Sequence, residues 1–159
     1  MRQYFLVILL VLINVACEDE SANNEESFTW GEVTTINGEV PPGELSPLQD
    51  VTTSLDTIDT NGNRLIITRG VREAGTRVGI HVHKYGGHTC VLSGVITDFI
   101  EGMEPKEFPA GTCYYMPPNT IMSAANLGDD PAILLDTFIL PPNESMITIL
   151  EPGWSDVSN

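Results

Sequence analysis

The chain has 159 residues, with 22 aspartates and glutamates against seven lysines and arginines, for a formal net charge of −15. Phosphate neutralisation needs a basic patch, so this balance excludes nucleic acid as a partner. Taken in order, the first predicted element is an export signal. A single basic residue, Arg2, precedes an almost wholly apolar stretch over residues 5–16. Twelve helical residues reach only about 18 Å, short of a ~30 Å hydrocarbon core. A basic start, a short apolar run and small residues read as a secretory signal over residues 1–16, outside the mature fold.

Val15-Ala16-Cys17 resembles the end of a bacterial lipobox, although Asn14 stands where leucine is usual. That likeness implies lipidation at Cys17. The protein would then be exported and tethered in the periplasm or at the cell surface, meeting the membrane through its lipid alone. Ordinary signal cleavage is the alternative. Between positions 18 and 44 lie eight acidic residues and no lysine or arginine. With so little apolar surface to offset its ordering entropy, the segment 17–45 is expected to be a flexible acidic stalk. What remains is one domain over residues 46–152, with a C-terminal tail over 153–159.

The domain is expected to be all-β. Short runs rich in Val, Ile, Thr and Tyr occupy residues 65–69, 78–83, 89–92, 95–100, 112–116, 121–125, 132–140 and 146–150. Gly, Pro, Asn and Asp clusters separate them, and Asn61-Gly62 reads as a hairpin turn. This spacing predicts a sandwich or barrel rather than βαβ units. All three histidines, His81, His83 and His88, fall within eight positions. On a strand, His81 and His83 leave the same face, and neutral imidazole is the commonest transition-metal ligand. A solvated His-x-His is the bland alternative.

These residues resemble the cupins, whose fold is a double-stranded β-helix of the jelly-roll kind. Gly75, five residues, His81-Val82-His83 and then Gly94 follow the first cupin motif. Gly111, five residues, Pro117-Pro118-Asn119, two residues, Met122, three residues and Asn126 follow the second. The resemblance covers roughly residues 46–151 and implies that His81 and His83 point into the barrel as metal ligands. Two departures stand out. Counted back from Gly94, the motif's glutamate falls on Gly87; counted with the longer spacing, it falls on His88. His88 is therefore a third ligand if the backbone follows the longer count or bulges at the paired glycines. Met122 replaces the second-motif histidine, either as apolar lining or as a thioether that favours copper.

The resemblance also implies that the strands holding Cys90 and Cys113 are neighbours, which allows a disulfide in an oxidising compartment; two free thiols are the alternative. Tyr114 and Tyr115 precede the Pro117 turn as candidate pocket residues, with one facing inward by alternation. Asp98 and Asp136 sit in apolar runs, where an inward carboxylate would serve as acid or base. Two readings follow. One is a cupin holding a divalent transition metal (Fe, Mn, Ni, Zn or Cu), acting as an oxygenase, isomerase or lyase on a small organic molecule. The other is a small-ligand-binding cupin lipoprotein with a degenerate metal site and no turnover. A homodimer is expected from family likeness alone.

Overall fold

The computed structural model describes residues 30–157, with side chains through Ser155. The signal and Cys17 lie outside the described residues. Among the described residues, twelve strands and one terminal helical turn, α1 (Trp154–Val157), make a nearly all-β fold. One sheet has five strands in the order β2 (Gln49–Ile58), β3 (Arg64–Arg72), β11 (Ala132–Leu140), β6 (Gly87–Ser93) and β9 (Cys113–Met116). The other is built around β10 (Met122–Ala125). On one side β10 pairs with β4 (Thr76–Arg77) and β5 (His81–Val82), and on the other with β7 (Val95–Ile100). Short strands complete it: β1 (Glu44–Leu45) beside β4, β12 (Thr148–Ile149) beside β5, and β8 (Lys106–Pro109) beside β7.

The core lies between the two sheets, where Ile66, Val91, Ile96, Tyr114, Met122 and Leu134 are buried together. Period-two alternation places it there. In β3, Ile66, Thr68, Gly70 and Arg72 turn inward while Leu65, Ile67, Arg69 and Val71 are only half-buried. β11 behaves likewise and pairs with β3 residue for residue along its length. The β2–β3 hairpin closes near Asn61-Gly62, where Gly62 has φ +84° and the Asp59 carboxylate accepts the Asn61 and Asn63 amides.

Two regions differ from the sequence expectation. Strand β2 is exposed along its whole length, so its Thr-rich sequence carries no burial alternation to betray a strand. The acidic stalk is not free over its described part. The Val33 amide donates to the Leu150 carbonyl, Ile36 is buried, and β1 runs parallel to β4. The Asn37 backbone amide donates a hydrogen bond to the Glu101 carboxylate at 2.7 Å. One buried apolar side chain and a few backbone hydrogen bonds suffice to hold an otherwise polar stretch against the barrel.

At the other end, the Arg77–Glu151 ion pair is almost fully buried, with bonds of 2.5 and 2.7 Å, and Glu151 also accepts the Ile80 amide. These contacts fix the chain on either side of the histidine strand. Asn126, wholly buried, donates its side-chain amide to the Arg72 and Asp130 carbonyls. The second-motif asparagine thus holds the end of β3 in place.

Candidate metal and ligand site

Between the sheets is a cavity of about 210 Å³, into which His81, His83, Asp98, Met122, Arg72 and Asp136 project. His81 lies in β5, opposite Met122 of β10, and His83 follows directly after the strand. Both rings are buried, at 4 % exposure. His81 Nδ1 lies 2.7 Å from the Gly79 carbonyl, and His83 Nδ1 lies 2.6 Å from the Met146 carbonyl. A carbonyl oxygen only accepts, so each Nδ1 carries the proton and each neutral ring keeps a bare lone pair on Nε2. Those two Nε2 atoms face each other at 3.1 Å.

Two lone pairs at that distance repel unless a cation or a donor lies between them. A proton does not fill the role near neutral pH. Burial first, and the neighbouring His83 second, push His81 down to about 3; burial also lowers His83. A metal ion fits the spacing. Two nitrogens each ~2.0–2.1 Å from one ion sit roughly 2.9–3.4 Å apart for angles between square and tetrahedral. The backbone bonds to Nδ1 are the outer-shell partners that ligand histidines ordinarily have.

The rest of the expected ligand set departs from this pattern. Gly87, not His88, lies on the inward face of β6, because the strand follows the shorter count and pairs Gly87 with Met116 and His88 with Tyr115. His88 is exposed and its ring packs 5.2 Å from that of Tyr115 on the outer face of the sheet. It takes no part in the site. A Cβ at position 87 would meet the Phe138 ring at 2.6 Å and Met116 Cε at 2.8 Å. Phenylalanine thus occupies the space that a glutamate side chain would need. Among the described residues no group of three or more His, Cys, Asp or Glu is placed to hold a metal. Two imidazoles with a neighbouring thioether, Met122, suit a borderline or soft transition metal with open positions, and do not suit a hard ion.

Tyr114 faces inward and Tyr115 outward, at 53 % exposure, so only the former is a pocket residue. Burial raises the Tyr114 hydroxyl strongly. Asp136 accepts a 2.6 Å hydrogen bond from Thr89 Oγ1, and burial raises its carboxyl. Asp98 is likewise buried, pushed up to about 7 by desolvation, and its Oδ1 has no hydrogen-bond partner. Arg72 was not expected here. It is 3 % exposed, donates through Nη1 to the Ser46 carbonyl, and is drawn down to about 10 by burial. Strand alternation was its signal: Ile66, Thr68, Gly70 and Arg72 share one face. Behind this wall Cys90 and Cys113, directly paired across β6 and β9, are joined in a disulfide.

No family model matches the chain, and no curated protein matches it. Solved structures do. A double-stranded β-helix protein from Klebsiella pneumoniae superposes with a TM-score of 0.53 at 21% identity, covering 77% of this chain and 99% of that one. The fold is the cupin double-stranded β-helix. DMSP lyase DddQ from Ruegeria pomeroyi shares this cupin fold at TM-score 0.51 and 18% identity, over 65% of this chain and 53% of the lyase. Oxalate decarboxylase from Bacillus subtilis does so at 0.52 and 19%, over 69% of this chain and 30% of the enzyme. At these identities the likeness extends to the cupin barrel and not to its chemistry.

Proposed function

We propose that this cupin-fold domain binds a borderline or soft transition-metal ion through Nε2 of His81 and His83. The observation that carries the reading is the pair of unprotonated Nε2 atoms facing each other at 3.1 Å, with both rings locked by backbone carbonyls. Met122 beside them favours copper among the candidates. A bound ion would supply Lewis acidity to a small molecule in the cavity, while the chain's own residues orient that molecule and keep water from most of its surface. The test is elemental analysis of protein purified without an affinity tag. Near-stoichiometric metal is expected in the wild type, lost in both His81→Ala and His83→Ala. Metal-free wild type that also fails to take up Cu(I), Zn(II), Ni(II), Fe(II) or Mn(II) would sink the reading.

A second reading, a small-ligand pocket without metal, draws support from Phe138 filling the place of the missing glutamate. We further infer export with a lipid tether at Cys17, supported by the signal-like residues 1–16 and by the Cys90–Cys113 disulfide, which suits an oxidising compartment. Release of the Cys17→Ser protein from the membrane fraction is the expected result; wild type already soluble after export would contradict the tether.

A further inference from the structure

The histidine pair leaves a second set of polar groups in the cavity unused. Asp98, in the middle of β7, is 5 % exposed and lines the cavity, and its Oδ1 accepts no hydrogen bond. The Phe99 amide faces the carboxyl, and the buried Tyr114 hydroxyl lines the same cavity close enough to feel its charge. Arg72 enters the same cavity from the other sheet. Its Nη1 is committed to the Ser46 carbonyl, and the remaining N–H groups of the guanidinium make no hydrogen bond among the described residues. Asp98 stands on the sheet around β10 and Arg72 on the five-stranded sheet, so the bare acceptor and the spare donors enter the cavity from opposite walls. The wall between them is largely apolar, with Met116, Met122, Leu134 and Phe138.

Buried polar groups in native structures are paired, so an acceptor and a guanidinium both left open toward one cavity describe what should fill it. We propose that the cavity binds a short aliphatic carboxylic acid bearing a hydroxyl or ammonium donor at its far end. The carboxylate lies on the free N–H groups of Arg72, the distal donor reaches Asp98 Oδ1, and the methylenes lie against the methionines. Guanidinium is the side chain best shaped for a carboxylate. At about 210 Å³ the cavity is smaller than most drug-sized ligand pockets and suits a small acid. The inference does not depend on a metal at His81 and His83.

Calorimetric titration of the full-length protein, stripped of metal with EDTA, tests it. The probes are straight-chain acids of three to six carbons in three forms: terminal hydroxyl, terminal amine and unsubstituted. At least one hydroxy or amino acid should bind about tenfold tighter than its unsubstituted counterpart, the worth of one buried hydrogen bond. Asp98→Asn keeps an oxygen acceptor but removes the charge, so it separates the two donors. It preserves the preference for a hydroxyl and abolishes that for an ammonium group. The wild-type comparison needs no variant, so a folding defect cannot obscure the outcome. Equal binding of unsubstituted and substituted acids, or no binding by any of them, overturns the proposal. Because the titration uses metal-free protein, failure of the metal reading and failure of this one are read separately.

Discussion

The two sheets face the same cavity with opposite equipment. The sheet around β10 presents acceptors that no donor among the described residues satisfies: Nε2 of His81, with that of His83 just beyond it, and Oδ1 of Asp98. The five-stranded sheet presents groups already engaged, Thr89 on Asp136 and Arg72 on Ser46, and it packs Phe138 over Gly87, leaving no room for a side chain there. One wall is prepared to receive something; the other is mostly finished and keeps only the spare donors of Arg72. Core packing thus fills one side of the barrel while the other keeps polar groups open toward the cavity.

The sharpest way to break that contrast is at Gly87 and Phe138. Phe138→Ala should cost about 3–5 kcal/mol of stability, as large aromatic truncations in cores do. Gly87→Ala should cost about 1–3 kcal/mol by overpacking, because its Cβ lands within 2.8 Å of Phe138 and Met116 atoms. In the Phe138→Ala background the Gly87→Ala penalty should shrink, which a double-mutant cycle by chemical denaturation would show. Combining Gly87→Glu with Phe138→Ala reopens the ligand position. Metal affinity above that of wild type is expected from that double variant, and unchanged affinity would mean that the two walls do not meet at one ion.

The disulfide braces the finished wall from outside. It links residues 23 apart, for which loop entropy gives about 3 kcal/mol. Cys90→Ser with Cys113→Ser should lower the denaturation midpoint accordingly while leaving metal content unchanged, since both sulfurs lie on the outer side of β6 and β9. Loss of metal in that variant would show that the five-stranded wall positions the histidines after all.

On the receptive wall, Asp98 predicts a pH dependence with a definite sign. Its carboxyl is pushed up to about 7 in the folded protein by burial, against 3.8 for the ordinary group. The folded state thus binds the proton more tightly than the unfolded one. That contribution is intact below about pH 4 and is lost as pH rises toward 7. Metal-free wild type should lose roughly 4 kcal/mol across that window through this group, at about 1.4 kcal/mol per pH unit. In Asp98→Asn that part of the slope should vanish, as measured by urea denaturation at pH 4, 5.5 and 7. An identical slope in both proteins would mean that Asp98 is solvated or paired.

Much of this was readable from the residues, and the remainder failed for identifiable reasons. Glycine and proline spacing located most of the strands, and the two motifs set the barrel and the histidine pair. Strand β2 escaped because all of it is exposed, and burial alternation is the signal by which a strand is found. Arg72 escaped because a charged residue closing a strand reads as solvent-facing, although its place in the alternation pointed inward. Between His88 and Gly87 the motif allowed two counts. Phe138, some 50 residues downstream, selects between them by tolerating only a residue without a side chain. Such a constraint belongs to packing and leaves no trace in local spacing.

The smallest expected effect tests that selection directly. His88 and His83 are close in sequence and opposite in place, one exposed beside Tyr115 and the other buried against Phe138 with ring centroids 5.1 Å apart. His88→Ala removes an imidazole from the outer face, where substitutions usually change stability by less than about 0.5 kcal/mol. Metal content and affinity should match wild type in the same assay that registers loss in His83→Ala. A drop in affinity would require β6 to slip by one residue in solution. Such a slip would exchange the two faces of the strand, carrying Thr89 out of the cavity along with its bond to Asp136.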